Sequence, residues 1–338
     1  MRAFIYRRHG EPADVLTYDD IAAPAHPGPN EVAVRVTTRM VHPIDGLLVR
    51  GIVPAPIPPA GAVPGGDGVG IVEQVGAGVD PSTGIVSGKR VMMFPVHGTW
   101  AERVVAPASA IFSLPDDISD ATACQIIING ITAIVLMRAA SVADSRAGIA
   151  SPLLVTAAGS SVGRNVIALA QMRGSKVVAV VRSDAGAAIL RQSMAGLPVV
   201  STEHEGWPSV VTAACGDAPS VAIDPIGGDM TAKFLGLLAD GGTLLTYGGL
   251  DARPSMISTI ALAARQLTMK GVNTALAWFA GTSPEQRASD VADLFEMTRR
   301  APGNFTDYRE FALTQAIEAM SAAQATPRRG ATILTSGG

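Results

Sequence analysis

The most constraining feature of this chain is a strand, a turn of small residues and a helix near its middle. The apolar segment 153–156 is typical of a strand buried on both faces. It leads into the turn 157–163, and apolar residues then recur at helical spacing from 166 to 170. Small residues let a ligand approach the backbone, and a helix N-terminus offers free N–H groups to a phosphate. The stretch therefore predicts a phosphate-binding turn.

The same turn also fits the nucleophile elbow of a serine hydrolase, because Gly159-Ser-Ser161-Val-Gly163 matches G-x-S-x-G. Such a serine needs an acid and then a histidine later in the chain. Of the five histidines only His204 follows Ser161, and it lies in a polar segment with no strand end to position it. A hydrolase that uses Ser161 is therefore a remote alternative.

Length and composition restrict the class of protein. A chain of 338 residues, 48% hydrophobic and 16% charged, is expected to form two packed α/β domains. The net charge of −3 and the lack of a basic cluster argue against a nucleic-acid partner. Two cysteines cannot form a disulfide framework, so a reduced, cytoplasmic location is expected. The longest apolar stretch, 126–137, is interrupted by polar residues and is shorter than a membrane span of about 18 residues, so we expect no membrane partner.

The pattern of predicted elements changes along the chain. Residues 1 to about 115 contain short strands with Pro/Gly turns, which favours a small barrel or sandwich. From Ser151 onward strands alternate with helices, which predicts an α/β fold with a doubly wound parallel sheet. The predicted domains are a β-rich catalytic domain, 1–122 completed by 301–338, and a dinucleotide-binding domain, 123–300.

The central turn is a relaxed form of the dinucleotide fingerprint G-x-G-x-x-G, with small residues at Ala158, Ser160 and Gly163. A strand before it and a helix after it strengthen the match. The turn residues predicted to bind the cofactor are Ala158, Gly159, Ser160, Ser161, Val162 and Gly163.

The end of the next strand bears on which dinucleotide binds. An acidic residue there accepts a hydrogen bond from the ribose 2′-hydroxyl of NAD(H), whereas a basic residue accommodates the 2′-phosphate of NADP(H). Arg182 and Ser183 occupy this end and favour NADP(H). Asp184 follows directly and leaves NAD(H) open as the alternative.

Several short segments occur in a recognisable order along nearly the whole chain. They are Val41-His-Pro-Ile-Asp45, Pro64-Gly-Gly-Asp-Gly-Val-Gly70, Gly98-Thr-Trp-Ala-Glu102, Asn129-Gly-Ile-Thr-Ala133, Ala157-Ala-Gly-Ser-Ser-Val-Gly163, Asp224-Pro-Ile-Gly-Gly228 and Tyr247-Gly-Gly249. Together they resemble the medium-chain dehydrogenase/reductase superfamily, and within it the zinc-free quinone oxidoreductase and 2-enoyl thioester reductase branch. The resemblance implies a Rossmann sheet and a chaperonin-10-like barrel domain. It also implies hydride transfer from NADPH to a quinone, an enone or an enoyl thioester.

The resemblance also implies functional roles for further residues. It places Asn129 and Thr132 at the nicotinamide, Tyr247, Gly248 and Gly249 on the cofactor backbone, and Trp278 near the substrate. Two alternatives stay open, because Asn129 is equally suited to capping a helix break and Trp278 to packing in a core or a dimer contact. The strand 266–272 lies where relatives extend the sheet across a two-fold axis, so a homodimer is expected.

No metal is expected. Two scattered cysteines cannot supply a structural zinc site, which needs about four Cys or His ligands. The zinc-dependent relatives carry Gly-His-Glu where this chain has Gly65-Gly66-Asp67, so a histidine ligand is missing. His42 and Asp67 are more readily interpreted as a structural pair.

The sequence departs from the resembled branch at two residues that bear on proton donation to the substrate. Relatives of this branch carry a proton-donating tyrosine where this chain has Val53, and an asparagine where it has His42. Histidine can act as an acid near neutral pH, so His42 or a water is the predicted proton source. A protein that binds NADPH with little catalysis is the alternative.

Overall fold

The computed structural model describes residues 1–147, 151–251, 253–273, 275–325 and 330–336. The chain divides into two compact units. The first unit comprises Met1–Ile128, Ser283–Thr298 and Phe305–Gly338, and the second comprises Asn129–Thr282 and Arg299–Asn304. The predicted boundary after residue 122 lies close to the one after Ile128. Ser283–Thr298, which the prediction placed in the dinucleotide-binding domain, groups with the first unit instead.

Strands and helices follow one another along the described residues. The strands, in chain order, are β1 (Arg2–Ile5), β2 (Thr17–Asp20), β3 (Glu31–Met40), β4 (Gly68–Val75), β5 (Arg90–Met93), β6 (Arg103–Pro107), β7 (Ile111–Ser113), β8 (Leu153–Val155), β9 (Val177–Val181), β10 (Val199–Ser201), β11 (Val221–Asp224), β12 (Thr243–Thr246), β13 (Thr268–Gly271), β14 (Tyr308–Ala312) and β15 (Ala331–Thr335). The helices are α1 (Pro12–Val15), α2 (Pro43–Arg50), α3 (Asp120–Ala147), α4 (Ser161–Met172), α5 (Asp184–Ser193), α6 (Trp207–Cys215), α7 (Gly228–Leu237), α8 (Thr259–Ala264), α9 (Ala275–Gly281), α10 (Pro284–Arg300) and α11 (Ala316–Gln324).

The first unit is built around the long strand β3. Its buried Val32, Val34 and Val36 alternate with less buried residues, as in a strand with one face on a core. β3 pairs antiparallel with β4, β6 and β15, so the last strand of the chain belongs to the same sheet as the early ones. The sheet order is β14-β15-β3-β4-β5-β7, with β6 pairing to β3.

The second unit is a six-stranded sheet in the order β10-β9-β8-β11-β12-β13, and all of its pairs are parallel. The residues of β8, β9 and β11 are all buried, as expected for strands covered by helices on both faces. The predicted doubly wound sheet is thereby confirmed. The strand order reverses between β8 and β11, and ligands of such sheets bind beyond the carboxyl ends of the strands at this point.

Helix α3 is longer than predicted. Residues 116–120 offer a helix start in the sequence, and the pattern predicts a helix from there to about Ala139. The helix continues to Ala147, because no Gly or Pro interrupts it between these residues. The segment Asp120–Asp144 is long and apolar enough to cross a membrane by length and composition. However, 67% of its most apolar window is buried within the protein, as in the core helix of a globular fold.

Candidate functional site

The turn after β8 is shaped for a ligand of the second unit. Ala157 adopts a left-handed conformation with φ of 46°, which turns the chain sharply where β8 ends. Ser160 then caps α4, because its Oγ accepts a hydrogen bond from the N–H of Gly163 at 3.1 Å. The first turn of α4 therefore starts directly at this loop, with its N-terminus at the carboxyl edge of the sheet. This is the arrangement that binds phosphate groups.

Two glycines of this turn have different surroundings. A Cβ on Gly163 would lie 2.8 Å from the carbonyl oxygen of Ala157 and 2.9 Å from Cα of Ala158, so Gly163 permits α4 to pack against the turn. A Cβ on Gly159 would meet nothing within 4 Å, and this residue is exposed. Gly163 therefore has a packing function, and Gly159 leaves open space where a ligand can reach the backbone.

A buried carboxylate at the end of the neighbouring strand β11 holds the start of the turn. Asp224, at the end of β11, is fully buried and accepts hydrogen bonds from Thr156 Oγ1 at 2.5 Å and Thr231 Oγ1 at 2.8 Å. The backbone N–H of Ile226 donates to the same carboxylate at 3.2 Å. The sequence pattern did not predict this role for Asp224. The available signal was a threonine and an aspartate at the ends of strands that are neighbours in the parallel sheet.

Tyr247 reaches the same turn from the end of β12. Its phenol interacts with Ser160, and burial raises the pKa of the phenol above its ordinary value, so it stays protonated at neutral pH. Gly248 and Gly249 follow it and are exposed. The structure thus brings Tyr247 together with the predicted phosphate turn.

The end of β9 presents the residues predicted to meet the ribose. Arg182 is exposed, and within the part of the chain that the structure describes no hydrogen bond or ion pair holds its guanidinium. Ser183 caps α5 by accepting from the N–H of Gly186 at 3.2 Å. The carboxylate of Asp184 lies 2.9 Å from Nε2 of His204. The arginine is therefore available to an anion, whereas the neighbouring acid is already engaged.

Three further predicted residues are buried in the second unit. Asn129 and Thr132 lie three residues apart on α3 and so share a face of the helix. Trp278 lies on α9, with its ring 6.4 Å from that of Phe279. Burial is consistent with packing for all three, so their roles at a nicotinamide or a substrate stay predictions.

His42 is held in a polar cluster of the first unit. It caps α2, its Nε2 lies 3.1 Å from Oδ2 of Asp67, and both side chains are buried. Its backbone N–H donates to Asp45 Oδ2 at 2.7 Å. Burial raises the pKa of Asp45 to about 6, and the negative charge of Asp67 adds to this effect, whereas His42 opposes it. The cluster of His42, Asp45 and Asp67 links α2 to the residues before β4.

Val53 lies in the loop after α2 and is half-buried. Its N–H donates to the carbonyl of Leu47 at 3.3 Å, which ties the loop to the helix. The preceding Ile52 is exposed. Val53 brings no proton-donating group to this loop.

The donor set of the first unit does not fit a zinc ion. Among the described residues no three His, Cys, Asp or Glu side chains come together as a metal site requires. His42 and Asp67 face each other as two donors, Asp45 accepts the backbone N–H of His42, and Gly66 has no side chain to add. These residues are therefore not suited to hold a zinc ion.

The histidine that a Ser161 nucleophile would require is engaged with another residue. His204, the histidine that follows Ser161 in the chain, pairs with Asp184 at the far end of the β9–α5 turn. Burial also raises the pKa of Cys215 to about 11, which disfavours its thiolate. The arrangement of the second unit suits binding of a dinucleotide and not acyl transfer.

Comparison with known proteins agrees with this geometry. Residues 28–116 match the family described as alcohol dehydrogenase GroES-like domain, and residues 161–295 match the family described as zinc-binding dehydrogenase. The mitochondrial enoyl-[acyl-carrier-protein] reductase of Xenopus tropicalis is 29% identical over 309 residues, which cover 88% of this chain and 83% of that protein.

Solved structures resemble the whole chain. A quinone oxidoreductase of Pseudomonas syringae pv. tomato DC3000 superposes with a TM-score of 0.84 at 25% identity and covers 99% of each chain. The fold is shared with an Escherichia coli quinone oxidoreductase solved with NADPH, at a TM-score of 0.83 and 22% identity, over 99% of this chain and 100% of that one. This chain belongs to the medium-chain dehydrogenase/reductase superfamily, which confirms the resemblance found in the sequence.

Proposed function

We propose that this protein is a zinc-independent oxidoreductase that transfers hydride from NADPH to a quinone or to an activated C=C bond. The observation that carries the proposal is the exposed guanidinium of Arg182 at the end of β9, beside a phosphate-binding turn. A basic residue at this position accommodates the 2′-phosphate that distinguishes NADPH from NADH. The relatives support the reaction class, because they are named as enoyl reductases and quinone oxidoreductases.

The residues of the second unit supply binding and orientation. The N–H groups at the start of α4 bind the diphosphate, and Gly159 leaves room for its approach. Asp224 and Tyr247 hold this turn in place through Thr156 and Ser160. When bound, NADPH supplies the hydride, and the protein positions it and excludes water.

The residues of the first unit bear on the proton that must follow. Hydride addition to an enone or enoyl thioester produces an enolate, which has to be stabilised and protonated. Val53 has no proton to give, so His42 or a water supplies it. A quinone accepts hydride at oxygen or carbon and leaves an anion that solvent can protonate, which makes quinones and small enones the favoured substrates.

A panel of electron acceptors tests the proposal. Purified protein is mixed with NADPH and with a quinone, an enone or an enoyl thioester in turn. The oxidation of NADPH is followed as the loss of the absorbance of its reduced nicotinamide. We expect turnover with at least one quinone or enone, and slower turnover with NADH. Binding of NADPH without any turnover would instead support a cofactor-binding protein with little catalysis, and no binding of either dinucleotide would refute the proposal.

We further propose a homodimer formed through β13, and a cytoplasmic location. Among the described residues β13 is the last strand of its sheet and its four residues are all exposed, so one side of its backbone is open to pairing. Met256 and Ile260, which precede this strand in the chain, are each 81% exposed. An edge strand together with exposed apolar side chains in the same unit favours a second copy of the chain as partner. Two buried, unpaired cysteines, Cys124 and Cys215, suit a reducing compartment.

A further inference from the structure

The loop after β10 lies against the turn at which the proposed 2′-phosphate binds. β10 runs parallel to β9, with Ser201 in register with Val181. The N–H of Thr202 donates to the carbonyl of Val181 at 2.9 Å, so the loop continues alongside the β9–α5 turn. His204 follows β10 and Asp184 follows β9, and their side chains are in contact.

Two contacts bind the loop to the first turn of α5. His204 Nε2 lies 2.9 Å from Oδ2 of Asp184, and the backbone N–H of Asp184 donates to Oε2 of Glu203 at 2.8 Å. The pair with His204 lowers the pKa of Asp184, which is therefore ionised at neutral pH. Asp184 is the acid that, left unpaired at the end of this strand, would repel a 2′-phosphate and accept a hydrogen bond from a 2′-hydroxyl.

The charges at this turn are close to balance only when His204 is protonated. Arg182 and Arg191 contribute two positive charges, whereas Asp184, Glu203 and Glu205 contribute three negative charges. Arg191, on the next turns of α5, acts on Asp184 and keeps its charge while its guanidinium donates to the carbonyl of Val199 at 2.6 Å. Neutral His204 would thus leave a net negative charge where an anion has to bind.

We infer that His204 is a specificity-determining residue, which makes this acid-bearing turn accept a 2′-phosphate by pairing with Asp184. The inference rests on the proposed function and deepens it, because it assigns the choice between NADPH and NADH to the loop after β10 as well as to Arg182. Neither Arg182 nor Ser183 alone accounts for the choice, since Asp184 lies directly beside them.

The inference gives NADPH binding a defined pH dependence. Asp184, and to a lesser extent Glu203, raise the pKa of His204 above its ordinary value. The imidazolium is present below that pKa and is lost as the pH rises through it, so the preference for NADPH weakens on the alkaline side. The 2′-phosphate takes up its own second proton near pH 6, so the useful range is about pH 6.5 to 9.

Dissociation constants of NADPH and NADH, measured by fluorescence or calorimetry across this range, test the inference. In His204→Gln we expect NADPH binding to weaken about three- to tenfold at pH 6.5 and low salt, with NADH binding unchanged or tighter. The NADPH/NADH ratio of this variant should also lose its pH dependence. The double variant His204→Gln/Asp184→Asn should recover the NADPH affinity, because the acid that His204 neutralises is gone.

The outcomes separate the inference from the proposed function. A wild-type protein that does not prefer NADPH, or an Arg182→Ala variant that keeps the preference, would refute the assignment of the 2′-phosphate to this turn. A wild-type preference that His204→Gln leaves intact at every pH would overturn the inference alone. Equal weakening of NADPH and NADH in His204→Gln would show a merely structural role for the loop, and would also overturn it.

Discussion

At the residue scale, the two glycines of the phosphate turn make different demands on the fold. Only Gly163 lacks room for a side chain, because its Cβ would contact the backbone of Ala157 and Ala158. We expect Gly163→Ala to lower the free energy of unfolding by about 1–3 kcal/mol, since neither backbone atom can move away cheaply. Gly159→Ala should leave that free energy nearly unchanged but weaken NADPH binding, because the methyl group enters the space proposed for the diphosphate.

Urea unfolding and NADPH titration of both variants measure these effects. Gly236→Ala is the matched control, because a Cβ at this exposed helical position would also meet nothing within 4 Å and it lies on α7, away from the turn. A Gly159→Ala variant that binds NADPH as tightly as the wild type would contradict the proposed path of the cofactor over this residue.

The buried Asp45 carboxyl predicts an unusual pH dependence of stability. Its pKa of about 6 lies above the unfolded value of about 3.9, so the folded state binds this proton more tightly. The free energy of unfolding therefore loses up to about 3 kcal/mol from this group as the pH rises from about 4 to 7. Asp45→Asn removes the titration, so the stability of this variant relative to the wild type should increase over the same range.

Urea unfolding at several pH values between 4 and 7 tests this expectation. Asp14→Asn, which changes an exposed carboxylate on α1, serves as the control and should follow the wild type. A stability difference between Asp45→Asn and the wild type that stays constant with pH would show that Asp45 has no raised pKa.

Single residues also show what the sequence could and could not predict. The strand end at Arg182 and the turn around Ser160 were predicted, because each follows from a local pattern of a strand, a turn and a helix, whereas the capping role of Ser160 was not. Asp184 pairs with His204, and Thr156 with Asp224, and each pair joins residues at or just beyond the ends of two different strands. Such contacts depend on which strands are neighbours in the sheet, and local periodicity does not contain that information.

At the scale of elements, the loop after α2 offers a direct test of the proton source. Val53 is half-buried there, and its backbone is tied to Leu47, so a larger side chain at this position would be presented from a fixed loop. We expect Val53→Tyr to raise turnover of enone or enoyl thioester substrates about tenfold or more, because a phenol adds general acid catalysis. Val53→Phe is the matched control, since it adds the ring without the hydroxyl.

Steady-state rates with NADPH at several pH values distinguish the two variants. If His42 supplies the proton in the wild type, the gain from Val53→Tyr should be larger in the His42→Ala background, because the phenol then replaces a missing donor. Equal rates in the Tyr and Phe variants would show that protonation is not supplied from this loop.

Elements differed in how well the sequence predicted them. The apolar runs 176–181 and 220–224 predict strands, and β9 and β11 lie within a residue of them, because a run of branched apolar residues between turn residues is distinctive. α2 and α6 were not predicted, since each is short and begins next to a proline that reads as a turn signal in the sequence. The pairing of β15 with β3 joins opposite ends of the chain, and its residue-by-residue register is seen only in the structure.

At the scale of the whole molecule, the exposed edge of β13 predicts self-association. Within the part of the chain that the structure describes this edge is unpaired, and the same unit exposes Met256 and Ile260. Both features are an aggregation risk for a lone chain, which pairing with a second copy would reduce. We expect the wild type to sediment as a dimer at micromolar concentration. Met256→Lys/Ile260→Lys should weaken the dimer at least tenfold, because two charges would enter an apolar contact. Val210→Lys changes an exposed apolar residue on α6 and is the control, which should leave association unchanged. A wild-type protein that sediments as a monomer at these concentrations would contradict the proposed dimer.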